Sequence, residues 1–321
     1  MSCRALSAPG PEEGTNDRTV RSGSMIRTDR DGLVQAPDRA AGADSRVFRD
    51  PRLNEQFLLQ GYVVVSLLDA PDVIELRSLW EGHAPGVTGF YSNVGRRRDE
   101  ETRRLSARIR DVIGPPLVAL LDGYAATAGS FAAKAADDEG ALPLHQDWNT
   151  VDESRAFGLS AWCPLDHVDD GNGTLRVLPG SHRWFTTVRS ITIQPTAIPL
   201  DAEIRALTTP LALAPGQAVV HAQNLFHGSL ANRSSRMRVA AVCGTRKVGV
   251  PMVHYYRDPD RPHAPIEIFE IDPEFFASGV GDLRDGRRPE GLTLLGSLTH
   301  PPHEVTRERV VAHASSNGRT R

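Results

Sequence analysis

Apolar and polar positions follow two different rhythms along this chain, and the change of rhythm divides it. Up to about residue 128 apolar residues recur at helical spacing. Val73, Leu76, Leu79 and Trp80 follow Asp69 and Pro71, a capping side chain and a proline suited to a first turn. Leu105, Ile109 and Val112 form one stripe of a further helix over about 100–113, which Pro115-Pro116 is expected to interrupt before 117–124. Ahead of both, Phe57-Leu58-Leu59-Gln60-Gly61-Tyr62-Val63-Val64-Val65 reads as a helix end, a glycine turn and a β-branched strand.

From residue 129 the runs become short and β-like, with strands predicted over 130–135, 143–148, 157–163, 174–178, 211–221, 236–243 and 265–271. Asp170-Gly171-Asn172-Gly173, Pro179-Gly180-Ser181 and Pro215-Gly216 supply turns between them. Helices first and strands afterwards predict an α+β, mainly β fold in which N-terminal helices brace a double-sheet jelly roll. The expected organisation is a disordered leader over 1–46, a single domain over 47–296 and a loose tail over 297–321. The leader has no Phe, Trp or Tyr and equal numbers of acidic and basic residues, too little apolar surface for a core.

Composition narrows the function classes. A formal net charge of −3 gives no basic field for nucleic acid, and no run of about 18 apolar residues offers a membrane span. With no apolar segment and cleavage site at its start, the chain is expected to be cytoplasmic. Cys3, Cys163 and Cys243 are odd in number and lack zinc-like spacing, which supports neither a disulfide framework nor a cysteine metal site. Only Lys134 and Lys247 are lysines, against 35 arginines, so runs such as Arg96-Arg97-Arg98 read as solvated surface.

Candidate chemistry begins at His145-Gln146-Asp147. In a strand, residues i and i+2 project from one face, so both side chains can reach one ion. His227, just after a β-like run, is the best-placed third ligand. Two histidines and one carboxylate on one side of a metal make the facial triad of non-haem Fe(II) oxygenases, which leaves open positions opposite. A second such pair, His167 and Asp169, abuts the turn at 170–173, where the same-face geometry is not assured; the first pair is favoured.

Read together, Leu144-His145-Gln146-Asp147-Trp148, Ala161-Trp162, the run Asn172 to His182 and Phe226-His227-Gly228-Ser229 with Asn232 and Arg238 resemble the phytanoyl-CoA dioxygenase family of Fe(II)/2-oxoglutarate oxygenases. The resemblance covers about 129–245 and extends back to Phe57. It implies a double-stranded β-helix, a cupin-like jelly roll, with His145, Asp147 and His227 as catalytic iron ligands. It further implies that Arg238, eleven residues after the distal histidine, clamps the far carboxylate of 2-oxoglutarate with bidentate geometry. Arg236 is its decoy, on the same predicted strand face. Lys134, Trp162 and Ser229 map onto further cosubstrate contacts.

The reaction implied is oxidation by O₂ with 2-oxoglutarate giving succinate and CO₂, ascorbate serving as a possible reductant in vitro. Asp147 occupies the position that halogenating relatives leave to a halide, which favours hydroxylation. Gln146, Asn149, His182 and Tyr91 are candidate substrate contacts, with Tyr255 a further aromatic. The expected partner is a small molecule, in a specialised-metabolite tailoring step, and the expected assembly a monomer or homodimer. Two rivals stay open: a zinc or other metal-dependent hydrolase or isomerase on a cupin-like barrel, since the same ligands suit Zn²⁺, and a non-catalytic ligand-binding jelly roll.

Overall fold

Helices dominate the first part of the chain and strands the second, as the rhythm of the chain predicts, though the first part also carries strands of the larger sheet. The computed structural model describes residues 46–83, 85–94, 99–184, 187–299 and 305–317. Apart from Arg46, the expected leader lies outside the described residues. The first part of the chain runs through α1 (Pro51–Gln60), β1 (Tyr62–Ser66), α2 (Ala70–His83), β2 (Phe90–Ser92), α3 (Glu100–Leu120) and β3 (Tyr124–Lys134). The second contains β4 (Leu142–His145), β5 (Leu159–Pro164), β6 (Arg176–Val177), α4 (Ala202–Leu207), β7 (Thr209–Pro210), β8 (Gln217–Ala222), β9 (His227–Ser229) and β10 (Arg238–Lys247). It closes with β11 (Met252–Tyr256), β12 (Ile266–Ile271), β13 (Leu294–Leu298) and α5 (Arg307–Asn317).

Two antiparallel sheets face each other across a cavity lined by residues of both. The larger has the order β1-β8-β5-β10-β3-β2 and the smaller β4-β9-β6-β7; a third, β11-β12-β13, flanks them. Apart from β3-β2 and β6-β7, neighbours in the first two sheets are non-sequential, the mark of a jelly roll. Strand alternation then assigns the faces. On β3, Phe131 and Ala133 turn outward into the core with Phe57, Leu76, Ile109, Ile113 and Leu117 of the helices. Ser130 and Ala132, one residue out of step, line the cavity.

Asp69 caps α2 as expected, its Oδ1 accepting the Asp72 N–H at 3.0 Å. The expected break at Pro115-Pro116 does not occur, because α3 runs through both prolines to Leu120. Ile113, Gly114 and Leu117 are buried against the sheet on either side of them, while Pro115 is exposed, and this packing offsets the roughly 3 kcal/mol that a helix-interior proline costs. Gly129 lets helix and sheet approach closely, since a Cβ there would lie 2.5 Å from Ile109 Cβ.

The C-terminal expectation needs correction too. The 296/297 boundary falls inside β13, and residues 305–317 are folded: Val305 and Val310 are buried with Leu144, Leu178, Ile198, Ile204 and Phe226. Two valines among polar residues make a weak sequence signal, and only this patch around β4 and β9 gives them something to cover.

Candidate metal and cosubstrate site

β4 ends at His145, three residues short of its expected end. Asp147 nevertheless converges on the same point because its backbone is held from two sides. Its N–H donates to the Gln223 carbonyl at 2.9 Å, and Arg189 Nε donates to its own carbonyl at 2.6 Å. His145 and His227 are direct cross-strand partners of β4 and β9, with ring centroids 4.5 Å apart. Asp147 Oδ1 lies 3.5 Å from His227 Nε2. One ligand atom from each of the three residues falls within 4.8 Å of the others.

The imidazoles are oriented by the main chain. His145 Nδ1 donates to the Pro143 carbonyl at 2.8 Å and His227 Nδ1 to the Leu225 carbonyl at 2.9 Å, which leaves each Nε2 lone pair for an ion. Burial, followed by the neighbouring His227, pulls the His145 pKa down to about 4. Burial acts to raise the Asp147 pKa, but His227, His221 and His145 outweigh it and hold the carboxyl well below the usual range. Against burial, Asp147 raises that of His227. The donor set suits a borderline divalent cation with open positions.

Farther along the cavity, Arg238 is buried with no carboxylate partner among the described residues. Its Nη1 donates to Ala132 O at 2.9 Å and Nη2 to Gly173 O at 3.2 Å, its guanidinium carbon lies 5.4 Å from the Trp162 ring centroid, and its buried Nε has no partner. Burial lowers its pKa to about 9. Such an uncompensated cation fits an incoming anion such as the far carboxylate of 2-oxoglutarate. Trp162 and Ser229 border the same cavity of about 600 Å³. Arg236 is exposed and precedes β10.

Lys134 corrects an expectation. It sits opposite Arg238 in the β3–β10 register, but its ammonium turns away to the backbone carbonyls of Ser229 and Leu230, and it is absent from the cavity wall. A fully buried ammonium must find acceptors, and those carbonyls are within reach. Burial, then the charge of Arg238, lower its pKa to about 6.

The candidate substrate contacts divide. Gln146 and Tyr91 border the cavity. The Gln146 amide is also bonded to Asn224 O and Thr187 Oγ1, and Tyr91 OH to His83 Nε2. Asn149 and His182 do not border it. Asn149 Oδ1 accepts the Arg189 N–H at 2.6 Å, and the His182 ring packs beside Phe57 and Phe157, with its carbonyl accepting from Asn224. Tyr255 is buried on β11, likewise off the wall. Of the second His-x-Asp pair, His167 is exposed and Asp169 caps the short turn at 170–172.

Sequence reasoning leaves His221, Ser160 and Arg189 unassigned. His221 borders the cavity with its ring 4.8 Å from that of His227, and its one signal is to be a lone polar residue in the apolar run 218–222. Ser160 Oγ lies 3.4 Å from Asp147 Oδ2. Arg189 is buried against Glu153, with Nη2 to Oε1 2.6 Å, and nothing in its local sequence separates it from 34 other arginines.

Comparison with known proteins adds the following. The sequence model of the family described as Phytanoyl-CoA dioxygenase (PhyH) matches residues 13–240. The Dioxygenase cdmD of Talaromyces verruculosus is 32% identical over 114 residues, 36% of this chain, so the match spans about a third (32%) of that relative's length. HygX from Streptomyces hygroscopicus, solved with nickel and 2-oxoglutarate, is similar at 15% identity over 62% of this chain and 88% of its own, with a TM-score of 0.48. EctD from S. alaskensis, solved with 2-oxoglutarate and 5-hydroxyectoine, is similar at 19% identity over 68% and 88%, with a TM-score of 0.47. The epimerase SnoN, solved with Fe³⁺, alpha ketoglutarate and nogalamycin RO, is similar at 19% identity over 63% and 84%, also at 0.47. Among the described residues no helix is long and apolar enough to cross a membrane.

Proposed function

Because the chain belongs to the phytanoyl-CoA dioxygenase family, we propose that it is an Fe(II)- and 2-oxoglutarate-dependent dioxygenase that hydroxylates an unactivated C–H of a small molecule, in a specialised-metabolite tailoring step. One observation carries this reading. A single cavity holds both a three-ligand cluster and a buried guanidinium that no carboxylate among the described residues neutralises. Neither a zinc hydrolase or isomerase nor a non-catalytic ligand-binding jelly roll requires a buried cation at that place.

His145, Asp147 and His227 would hold the iron, and Arg238, with Ser229 and the Trp162 ring beside it, the far carboxylate of 2-oxoglutarate. When bound, iron and 2-oxoglutarate supply the oxidation of the substrate by O₂, with release of succinate and CO₂. The chain's own part is positioning and water exclusion. The Pro143 and Leu225 carbonyls keep the histidines in the ligating tautomer, and Arg189 fixes the Asp147 backbone. Asp147 keeps a carboxylate at the third position, which supports hydroxylation over halogenation. Lys134 serves indirectly, by tying the segment after β9 to β3.

The test is an anaerobic titration of metal-free protein with Fe(II) and then 2-oxoglutarate, following the visible metal-to-ligand charge-transfer band of the chelate. A saturable band that disappears in Asp147→Ala is the expected result. No band, with tight zinc binding instead, would overturn the reading in favour of a hydrolase or isomerase.

A further inference from the structure

The inner face of the larger sheet is divided along β10. Arg238 stands at one end and Gly244 six residues on, about 20 Å at some 3.3 Å per residue. Gly244 belongs to a row that crosses the sheet: His221 on β8 pairs with Ser160 on β5, Ser160 pairs with Gly244, and Thr127 on β3 lies over Gly244. A Cβ on Gly244 would come 2.9 Å from Thr127 Oγ1, so the absent side chain makes room for that hydroxyl. The row touches the metal-ligand cluster, through Ser160 on Asp147 and the His221 ring beside His227. Arg238 and the row thus lie toward opposite ends of the inner face of β10, and it is the row that touches the cluster.

Thr127, His221 and the adjacent Gln223 all border the cavity and are each at most 5% exposed. Among the described residues each keeps a hydrogen-bonding group without a protein partner: the Thr127 hydroxyl, His221 Nε2 and the Gln223 amide nitrogen. Polar groups that line a cavity without a protein partner are open to the hydrogen bonds of a ligand. The three do not ask for the same thing. His221 Nδ1 donates to Ala222 O at 3.1 Å, so its Nε2 accepts; the Gln223 amide donates; Thr127 does either. Nothing in the row is a permanent charge, although Arg284 also borders the cavity. Trp148 and Phe276 supply apolar wall to the same cavity.

We propose that this row is the substrate head-group site, and that it takes a neutral group that both donates and accepts hydrogen bonds, a hydroxyl or an amide, on an apolar body lying against Trp148 and Phe276. The assignment rests on the dioxygenase reading, since that reading places the cosubstrate on the Arg238 side.

The test uses protein loaded anaerobically with Fe(II) and 2-oxoglutarate, and ligand-observed saturation-transfer NMR with 2-phenylethanol, phenylacetamide and ethylbenzene as probes. The alcohol, the amide or both are expected to bind and ethylbenzene not, and the arm that binds tells hydroxyl from amide. Thr127→Val is expected to weaken binding about fivefold, the equivalent of one neutral hydrogen bond, and Thr127→Ser to restore it, with the charge-transfer band unchanged in both. Ethylbenzene binding as well as its polar partners, an unchanged affinity in Thr127→Val, or no probe binding to protein that shows the band would each overturn the proposal. A wild-type protein without the band is a different failure, that of the dioxygenase reading.

Discussion

The two faces of the six-stranded sheet solve opposite problems with alternate residues of the same strands. Outward, Phe131, Ala133, Cys163, Ala241 and Cys243 are buried with the helices, and burial raises the thiol pKa values of both cysteines beyond useful reactivity. Inward, at one residue's offset, stand Ser130, Trp162, Ser160, Arg238 and Gly244. The outer face removes apolar area from water, at roughly 25 cal/mol per Å², and contributes stability. The inner face holds desolvated polar groups that the protein pairs only in part, which leaves bonds for ligands. Stability and function are thus separated by the two-residue period of a strand, and a one-residue slip in register would exchange them.

Substitutions can break that comparison. Phe131→Ala, on the outer face, should lose about 3–5 kcal/mol in denaturant unfolding, the range for a buried phenylalanine, and a loss below 1 kcal/mol would mean that the helices pack elsewhere. Asp147→Ala should reduce metal affinity by more than about a hundredfold, beyond the effect of second-layer changes, with little change in the melting temperature of metal-free protein. Arg238→Met sharpens the contrast most: it should weaken 2-oxoglutarate binding at least tenfold, about 1.4 kcal/mol, while raising the melting temperature of the ligand-free protein. If this variant melts lower and binds 2-oxoglutarate normally, the cation is structural.

A pH dependence of the ligand-free fold is expected as well. His145, His221 and His254 each have a pKa near 4, set first by burial, against an ordinary 6.5. Between those values the native state binds fewer protons than the unfolded chain, so stability is present above about pH 6.5 and is lost as pH falls toward 4. His227, raised by Asp147, acts in the opposite sense but is outnumbered. A melting temperature that stays flat from pH 6.5 to 4.5 would contradict this.

Much of the site is legible in the chain because its chemistry is local. His145 and Asp147 sit two residues apart in one short run, and the motifs that resemble the family's point to His227 and Arg238. The helix-then-strand order is likewise a matter of period. What tertiary structure decided are the choices between residues of equal local character. The His-x-Asp at 145 faces β9 across a sheet, whereas the one at 167 caps a turn in solvent. Arg238 lies inside and Arg236 outside. Lys134 is drawn to two carbonyls, the Pro115-Pro116 helix continues because its flanks are buried, and two valines near the end of the chain fold down because an apolar patch is there. In each case the local sequence states what a residue can do, but burial and the partners that long-range packing brings within a few ångströms select which of those options is lowest in free energy.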